Sequence, residues 1–236
     1  MKKLIRNIYN LICISTSSFI IINYLKNYFF YYRKKTQCRL IENSIYSNFK
    51  SLDESKKWFI NNLYFLKKNL SNIKINALLE IGSYEGRSAL FFANLFKDSQ
   101  ITCVDTWSGS DEHNDDFTKI ENNFDLNVNE LSKKNKINKI KSTSNIFFDN
   151  NNNYYDFIYV DGDHLNEQVF KDLENSWACL NSNGYLLIDD YMWWYYKDLK
   201  KNPASAINIF INKNKKNIKK LLIWHQVLIQ KNNLLS

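Results

Sequence analysis

Four residues near the ends of two short apolar runs have the types and spacing to do chemistry together. Asp161 closes Tyr155-Asp-Phe-Ile-Tyr-Val160, and Asp189 and Asp190 close Tyr185-Leu-Leu-Ile188. The separations from Asp161 are 28 and 29 residues. If the two runs are adjacent strands, their ends bring three carboxylates into one mouth. Three oxygen ligands with open positions suit Mg²⁺, which keeps waters and takes few carboxylates. A cation there lowers the pKa of an acceptor hydroxyl, orients its oxygen and offsets repulsion among the carboxylates. His164 follows Asp161 by three residues and faces the same mouth. Its ordinary pKa lies near neutrality, so it can take the proton of an acceptor oxygen. Asp161 and His164 are therefore the catalytic candidates, and Asp161, Asp189 and Asp190 the metal candidates. The plainer alternative is that Asp163 and His164 cap the next helix and that Asp189 and Asp190 end a strand without a metal. His113 and His225 have no comparable setting; His225 falls in a predicted hairpin and reads as structural.

A second constellation lies upstream. Only five glycines occur in 236 residues, and two of them frame Glu80-Ile-Gly-Ser-Tyr-Glu-Gly86. Two glycines let a chain turn tightly and aim backbone N–H groups at a ligand near a helix N-terminus. Asp105 ends the following apolar run, 23 residues after Gly82, where an acid can accept hydrogen bonds from both ribose hydroxyls. The turn is G-x-x-x-G and not the G-x-G-x-x-G of dinucleotide sites, which disfavours NAD. The absence of G-K-[ST] excludes a P-loop.

The elements that must position these residues alternate. Strands are expected at 76–81, 101–105, 139–142, 157–161 and 185–189, with a closing hairpin at 219–224 and 226–229. Helices are expected at 52–70, 86–96, 115–132, 166–180 and, after Pro203, at 204–212. Alternating β and α with continuous apolar strands means a parallel sheet covered on both faces, with ligands beyond the carboxyl ends of the strands. The segments 108–135 and 191–196 are expected to shape an acceptor pocket.

Glu-x-Gly-x-x-x-Gly, the acid closing the second strand, Val104-Asp-Thr-Trp-x-Gly, Asp161-Gly-Asp-His164 and the later Asp-Asp resemble the class I S-adenosylmethionine-dependent methyltransferases, in the small-molecule branch called methyltransferase family 24. Asn202-Pro, Ala206-Ile, Phe210 and Gln226-Val are similar to it too. The resemblance covers about residues 50–231. It implies a Rossmann-like, doubly wound α/β sheet of seven mostly parallel strands with a reversed C-terminal hairpin, and methyl transfer from S-adenosylmethionine. It implies that Glu80, Gly82, Ser83, Tyr84 and Gly86 form the methionine side of the cofactor site, that Asp105 takes the ribose, and that Thr106 and Trp107 flank the adenosine. The paired strand-end acids also resemble those of the divalent-metal O-methyltransferases of catechols and macrolide sugars. The expected reaction is O-methylation of a sugar or another small hydroxylated molecule, Mg-assisted if the acids hold a metal. The alternative from another class is a non-catalytic Rossmann-like module tethered at a membrane.

Charge divides the chain at residue 41. Residues 1–41 carry eight Lys and Arg and no acid; the other 24 basic residues balance the 24 acids. A neutral domain argues against a nucleic-acid clamp, which needs a basic face. No Cys-x-x-Cys pair occurs, which suits a reducing, cytoplasmic setting. The basic, aromatic arm 1–41 contains 19 uncharged residues, Asn7 to Leu25, followed by tyrosines, phenylalanines and Arg33-Lys-Lys35. It reads either as a helical membrane anchor, with contact through residues 7–35 and the domain 42–236 on the cytoplasmic face, or as a helix packed on the domain.

Overall fold

The computed structural model describes residues 1–109, 115–134 and 136–232. Its centre is one seven-stranded sheet: β1 (Ala77–Ile81), β2 (Gln100–Asp105), β3 (Ile137–Lys141), β4 (Tyr155–Val160), β5 (Leu180–Ile188), β6 (Ile218–Ile223) and β7 (Val227–Lys231). The order is β3-β2-β1-β4-β5-β7-β6. The first five strands are parallel and β7 runs antiparallel to both β5 and β6. The order reverses between β1 and β4, so their carboxyl ends open the crevice in which such sheets bind ligands. Phe157, Ile158, Leu186 and Leu187 are fully buried, as expected of strands covered on both faces.

Around the sheet lie α1 (Lys2–Cys13), α2 (Ser18–Tyr31), α3 (Lys35–Ile45), α4 (Leu63–Leu70), α5 (Arg87–Leu95), α6 (Phe117–Ser132), α7 (Ser144–Asn150), α8 (Asn166–Ala178) and α9 (Pro203–Asn214). Two expectations change here. The helical spacing of 52–70 yields a 3-10 turn at Trp58–Asn62 and then α4. The stretch before it is drawn out because Glu85 accepts hydrogen bonds from Leu52 N and Ser51 Oγ. Strand β5 starts at Leu180, so Gly184 lies inside the strand instead of opening it.

The arm forms two short helices where one continuous helix is expected. Among the described residues, no helix is long and apolar enough to cross a membrane. The uncharged stretch is broken at Ser15, whose φ of 57° suits a turn, and polar groups turn inward from the helices on either side. Asn7 donates from Nδ2 to Tyr24 Oη at 3.0 Å and accepts from Trp194 Nε1 at 3.2 Å. Asn23 and Asn27 donate to the carbonyls of Leu221 and Ile223, and Asn23 Oδ1 accepts from Ile223 N, so α2 covers the β6 edge. Covering an edge with a helix removes its unpaired ladder groups from solvent. Leu11, Ile20, Tyr24, Tyr28 and Tyr31 join the same hydrophobic core as the sheet, and α3 runs across position 41.

Candidate active site

The turn after β1 is held from behind by a carboxylate. Asp105 Oδ2 accepts from Ser83 N and Tyr84 N, both at 2.9 Å, and Oδ1 accepts from Trp107 N at 2.7 Å. With these three bonds in place, Tyr84 and Trp107 stand at φ of 47° and 46°, a region non-glycine residues rarely occupy. Gly82 has φ 86°, and a Cβ there would stand 1.9 Å from the Asp161 carbonyl oxygen. The turn therefore presses against the end of β4, and no other residue fits. Gly86, at φ 80°, begins α5.

Glu80 lies under the turn, fully buried, and accepts from Ser83 Oγ at 2.7 Å. Burial pushes its carboxyl up to about 7. Trp107 is also buried. Its indole packs on Phe124 at 4.9 Å, carries Lys139 Nζ at 4.6 Å and donates to Tyr84 O. It supports the turn from outside the cavity, while Thr106 lines the cavity together with Gly82, Ser83, Tyr84 and Asp105. Glu80 and Gly86 stand behind that wall.

The cavity has a volume of about 1120 Å³ and reaches from this turn to the ends of β4 and β5. There, one ligand atom each from Asp161, His164 and Asp190 lies within 4.8 Å of the others. His164 Nε2 is 2.7 Å from Asp190 Oδ2, and its imidazole packs 4.7 Å from the Trp193 ring. Asp190 reaches the cluster through a φ of 56°. Asp163 accepts from Leu165 N at 2.7 Å in the turn ahead of α8, whose N-terminus has no side-chain cap, and His164 lines the cavity.

Asp189 departs from the expected ligand set. Its Oδ2 accepts from Gln226 Nε2 at 2.7 Å and meets the Tyr159 hydroxyl, and its Oδ1 accepts from Asp190 N. The Tyr159 hydroxyl also lies 2.7 Å from Asp161 Oδ2. One phenol carries one proton, so two carboxylates on it require a second proton or a cation. Burial, then repulsion from Asp189 and Asp190, pushes Asp161 well above the usual carboxylate range; burial, then Asp190, pushes Asp189 up to about 6. Among the described residues no lysine or arginine pairs with these three acids. The donor set therefore fits a divalent cation.

Alternation along β4 carried a signal for Tyr159, since it shares a face with Asp161 two residues on. Glu85, which also accepts from Asn123, gave no comparable signal. Segment 191–196 does line the cavity through Met192, Trp193 and Tyr195, and Asn202 stitches it down by accepting from Tyr195 N and Tyr196 N. His225 lines the cavity too, with burial, reinforced by nearby Lys3, pushing its pKa down to about 4. From segment 108–135, Gly109, Asp115 and Phe117 line it, whereas His113 and Asn135 lie outside the described residues.

Residues 79–191 match the family model described as a methyltransferase domain, methyltransferase family 24. No curated protein matches the sequence. A Staphylococcus aureus protein assigned as a caffeoyl-CoA O-methyltransferase superposes with a TM-score of 0.56 at 16% identity, over 89% of this chain and all of that one. An O-methyltransferase from Bacillus cereus, in complex with S-adenosylhomocysteine, gives 0.52 at 12%, over 84% and 90%. The MycE methyltransferase of the mycinamycin biosynthetic pathway, in complex with Mg, S-adenosylhomocysteine and mycinamycin VI, gives 0.53 at 15%, over 84% of this chain and 56% of that one. At these identities the likeness is one of fold, and a fold of this kind hosts many reactions.

Proposed function

We propose, on the premise that residues 79–191 form a class I methyltransferase domain, that the protein moves the methyl group of S-adenosylmethionine to a hydroxyl of a sugar or another small hydroxylated molecule. The observation that carries this reading is the cluster of Asp161, His164 and Asp190 facing the Gly82–Tyr84 turn across one cavity. Gly82, Ser83 and Tyr84 would hold the methionine side of the cofactor, and Asp105 and Thr106 the nucleoside side. Asp105 keeps an acceptor position beyond its three amide bonds, since a carboxylate offers about four. Trp193 and Tyr195 stack at 5.1 Å and 18°, an apolar platform suited to the face of a sugar ring. The four cysteines are all free, in keeping with a cytoplasmic setting.

The chain's own groups account for the proton. Asp190 holds the His164 imidazole at the cavity, where it would take the hydroxyl proton. The oxygen's electron pair forms the new C–O bond, the C–S bond breaks toward sulfur, and S-adenosylhomocysteine leaves while His164 keeps the proton. Asp161 and Asp190, with Asp189 one peptide away, would hold a divalent cation, which supplies a lower hydroxyl pKa and countercharge for the acids.

Calorimetric titration with S-adenosylhomocysteine, with and without Mg²⁺, tests this. Binding is expected in both cases and tighter with the metal. Asp161→Asn, which neutralises a member of the cluster, should weaken Mg²⁺ binding and leave cofactor affinity nearly intact. His164→Ala should keep Mg²⁺ affinity if the imidazole is the base, and lose it if the imidazole is a ligand. No heat with S-adenosylhomocysteine would favour the non-catalytic module.

A further inference from the structure

We propose that the outer face of α1 and α2 is a docking surface for an anionic lipid bilayer, on which both helices lie flat. The starting observation is an inverted pattern. In α1 the inward face carries Asn7 and Asn10, exposed by 1% and 8%, beside the fully buried Leu11, while Ile5, Tyr9 and Ile12 stand 60–64% exposed. These three recur at four and three residues, so they form one stripe. In α2 the outward face carries Phe19, Ile22, Phe29 and Phe30. Of the 17 large apolar side chains exposed among the described residues, ten fall within the first 41 positions. A helix that turns asparagines to its own core and isoleucines outward is arranged for a second apolar phase.

The charges identify that phase. Lys2 and Arg6 flank the α1 stripe, Lys26 interrupts the α2 stripe, and Arg33 stands in the turn just after it. No Asp or Glu precedes Glu42, and none of these four pairs with an acid among the described residues. Apolar stripes edged by unpaired lysine and arginine match the acyl boundary and headgroups of an anionic leaflet. A second copy of this chain fits less well, because pairing the face with itself would bring like charges together. Helices of 12 and 14 residues are too short to cross a bilayer, which needs about 20, and long enough to lie along one. The inward faces are fixed by Asn7 on Tyr24 and Trp194 and by Asn23 and Asn27 on β6, so the outer stripes are presented on a rigid base.

Sedimentation of the full-length protein with sucrose-loaded vesicles, without detergent, tests this. The protein should pellet with phosphatidylcholine–phosphatidylserine vesicles at low salt. It should bind pure phosphatidylcholine far less, and should release as salt approaches about 1 M, where screening is nearly complete. Ile5→Ser, Ile12→Ser and Phe19→Ser remove exposed side chains and should leave the melting temperature unchanged. Each should lower the partition coefficient on the order of tenfold. Lys2→Gln with Arg6→Gln should weaken the preference for phosphatidylserine by on the order of tenfold or more. Equal pelleting of native and Ser variants would overturn the proposal. So would failure of the native protein to bind anionic vesicles, and a dimer in light scattering that the Ser variants dissociate would assign the face to a second copy.

Discussion

Asp105 and Asp161 each stand at the carboxyl end of a parallel strand, with only β1 between β2 and β4, yet opposite chemistry meets their carboxylates. Asp105 takes three backbone N–H groups, from Ser83, Tyr84 and Trp107. Those dipoles are neutral, fixed by the fold and unable to titrate. Asp161 meets one phenol hydroxyl that it shares with Asp189, and among the described residues the basic side chain paired in the cluster is His164, on Asp190. In the proposed cofactor half of the cavity the carboxylate is therefore met mostly by fixed dipoles before any ligand arrives, with one acceptor position left. The acceptor half retains more negative charge than its partners balance, which is a demand for a cation and a supply of proton acceptors.

The largest effect should come from the acceptor half. His164→Ala should lower kcat by ~10²–10⁴, the range for a lost general base, with little change in S-adenosylhomocysteine affinity. If kcat and cofactor affinity fell together, the two halves would not be separable in the way their hydrogen bonding implies. A pH–rate profile adds a check: the limb that His164 controls should vanish in the variant.

Glu80 sharpens the contrast from beneath the cofactor turn. Below pH 4.5 the acid is protonated in both folded and unfolded chains. Between 4.5 and about 7 the unfolded chain releases the proton while the folded chain, held up first by burial, retains it. Stability from this group should therefore fall as pH rises through that window and level off above about 7, by ~3 kcal/mol in all. Glu80→Gln imitates the protonated form and still accepts from Ser83. The variant should match the native protein near pH 4.5 and exceed its stability at pH 8 by up to that amount in urea denaturation. Parallel stability curves across the window would mean that Glu80 gains no protection from ionisation by its burial.

Much of this contrast could be read from residue order, and the unreadable parts share a cause. Strands β1, β2, β4 and β5 declare themselves because continuous apolar runs end in glycine or acid. The 3-10 turn at Trp58–Asn62 and the short α7 do not, because tertiary bonds set the first and the second spans only seven residues. Asp189 and Asp190 look equivalent in sequence. The φ of 56° at Asp190 sends one carboxylate to His164 and leaves the other on Tyr159 and Gln226. Trp107 follows the cofactor-side acid by two residues, and its direction is likewise fixed by a backbone twist that composition cannot express. The arm misleads a hydropathy reading because several asparagines face the protein and about half of the apolar side chains face away.

The smallest expected effect is the most discriminating about Asp105. Asp105→Ala removes a charged acceptor, and S-adenosylhomocysteine binding should weaken by ~1.5–3 kcal/mol. Two causes would give that loss: a missing contact to the ribose, or a turn whose Ser83 and Tyr84 amides are no longer held. A double-mutant cycle with a 2′,3′-dideoxy analogue of S-adenosylhomocysteine separates them. If Asp105 bonds the ribose directly, the native protein should prefer the hydroxylated ligand and the variant should not. If Asp105 serves only the backbone, both ligands should lose affinity equally, and the cofactor half would then be closed so completely that its acid is scaffold alone.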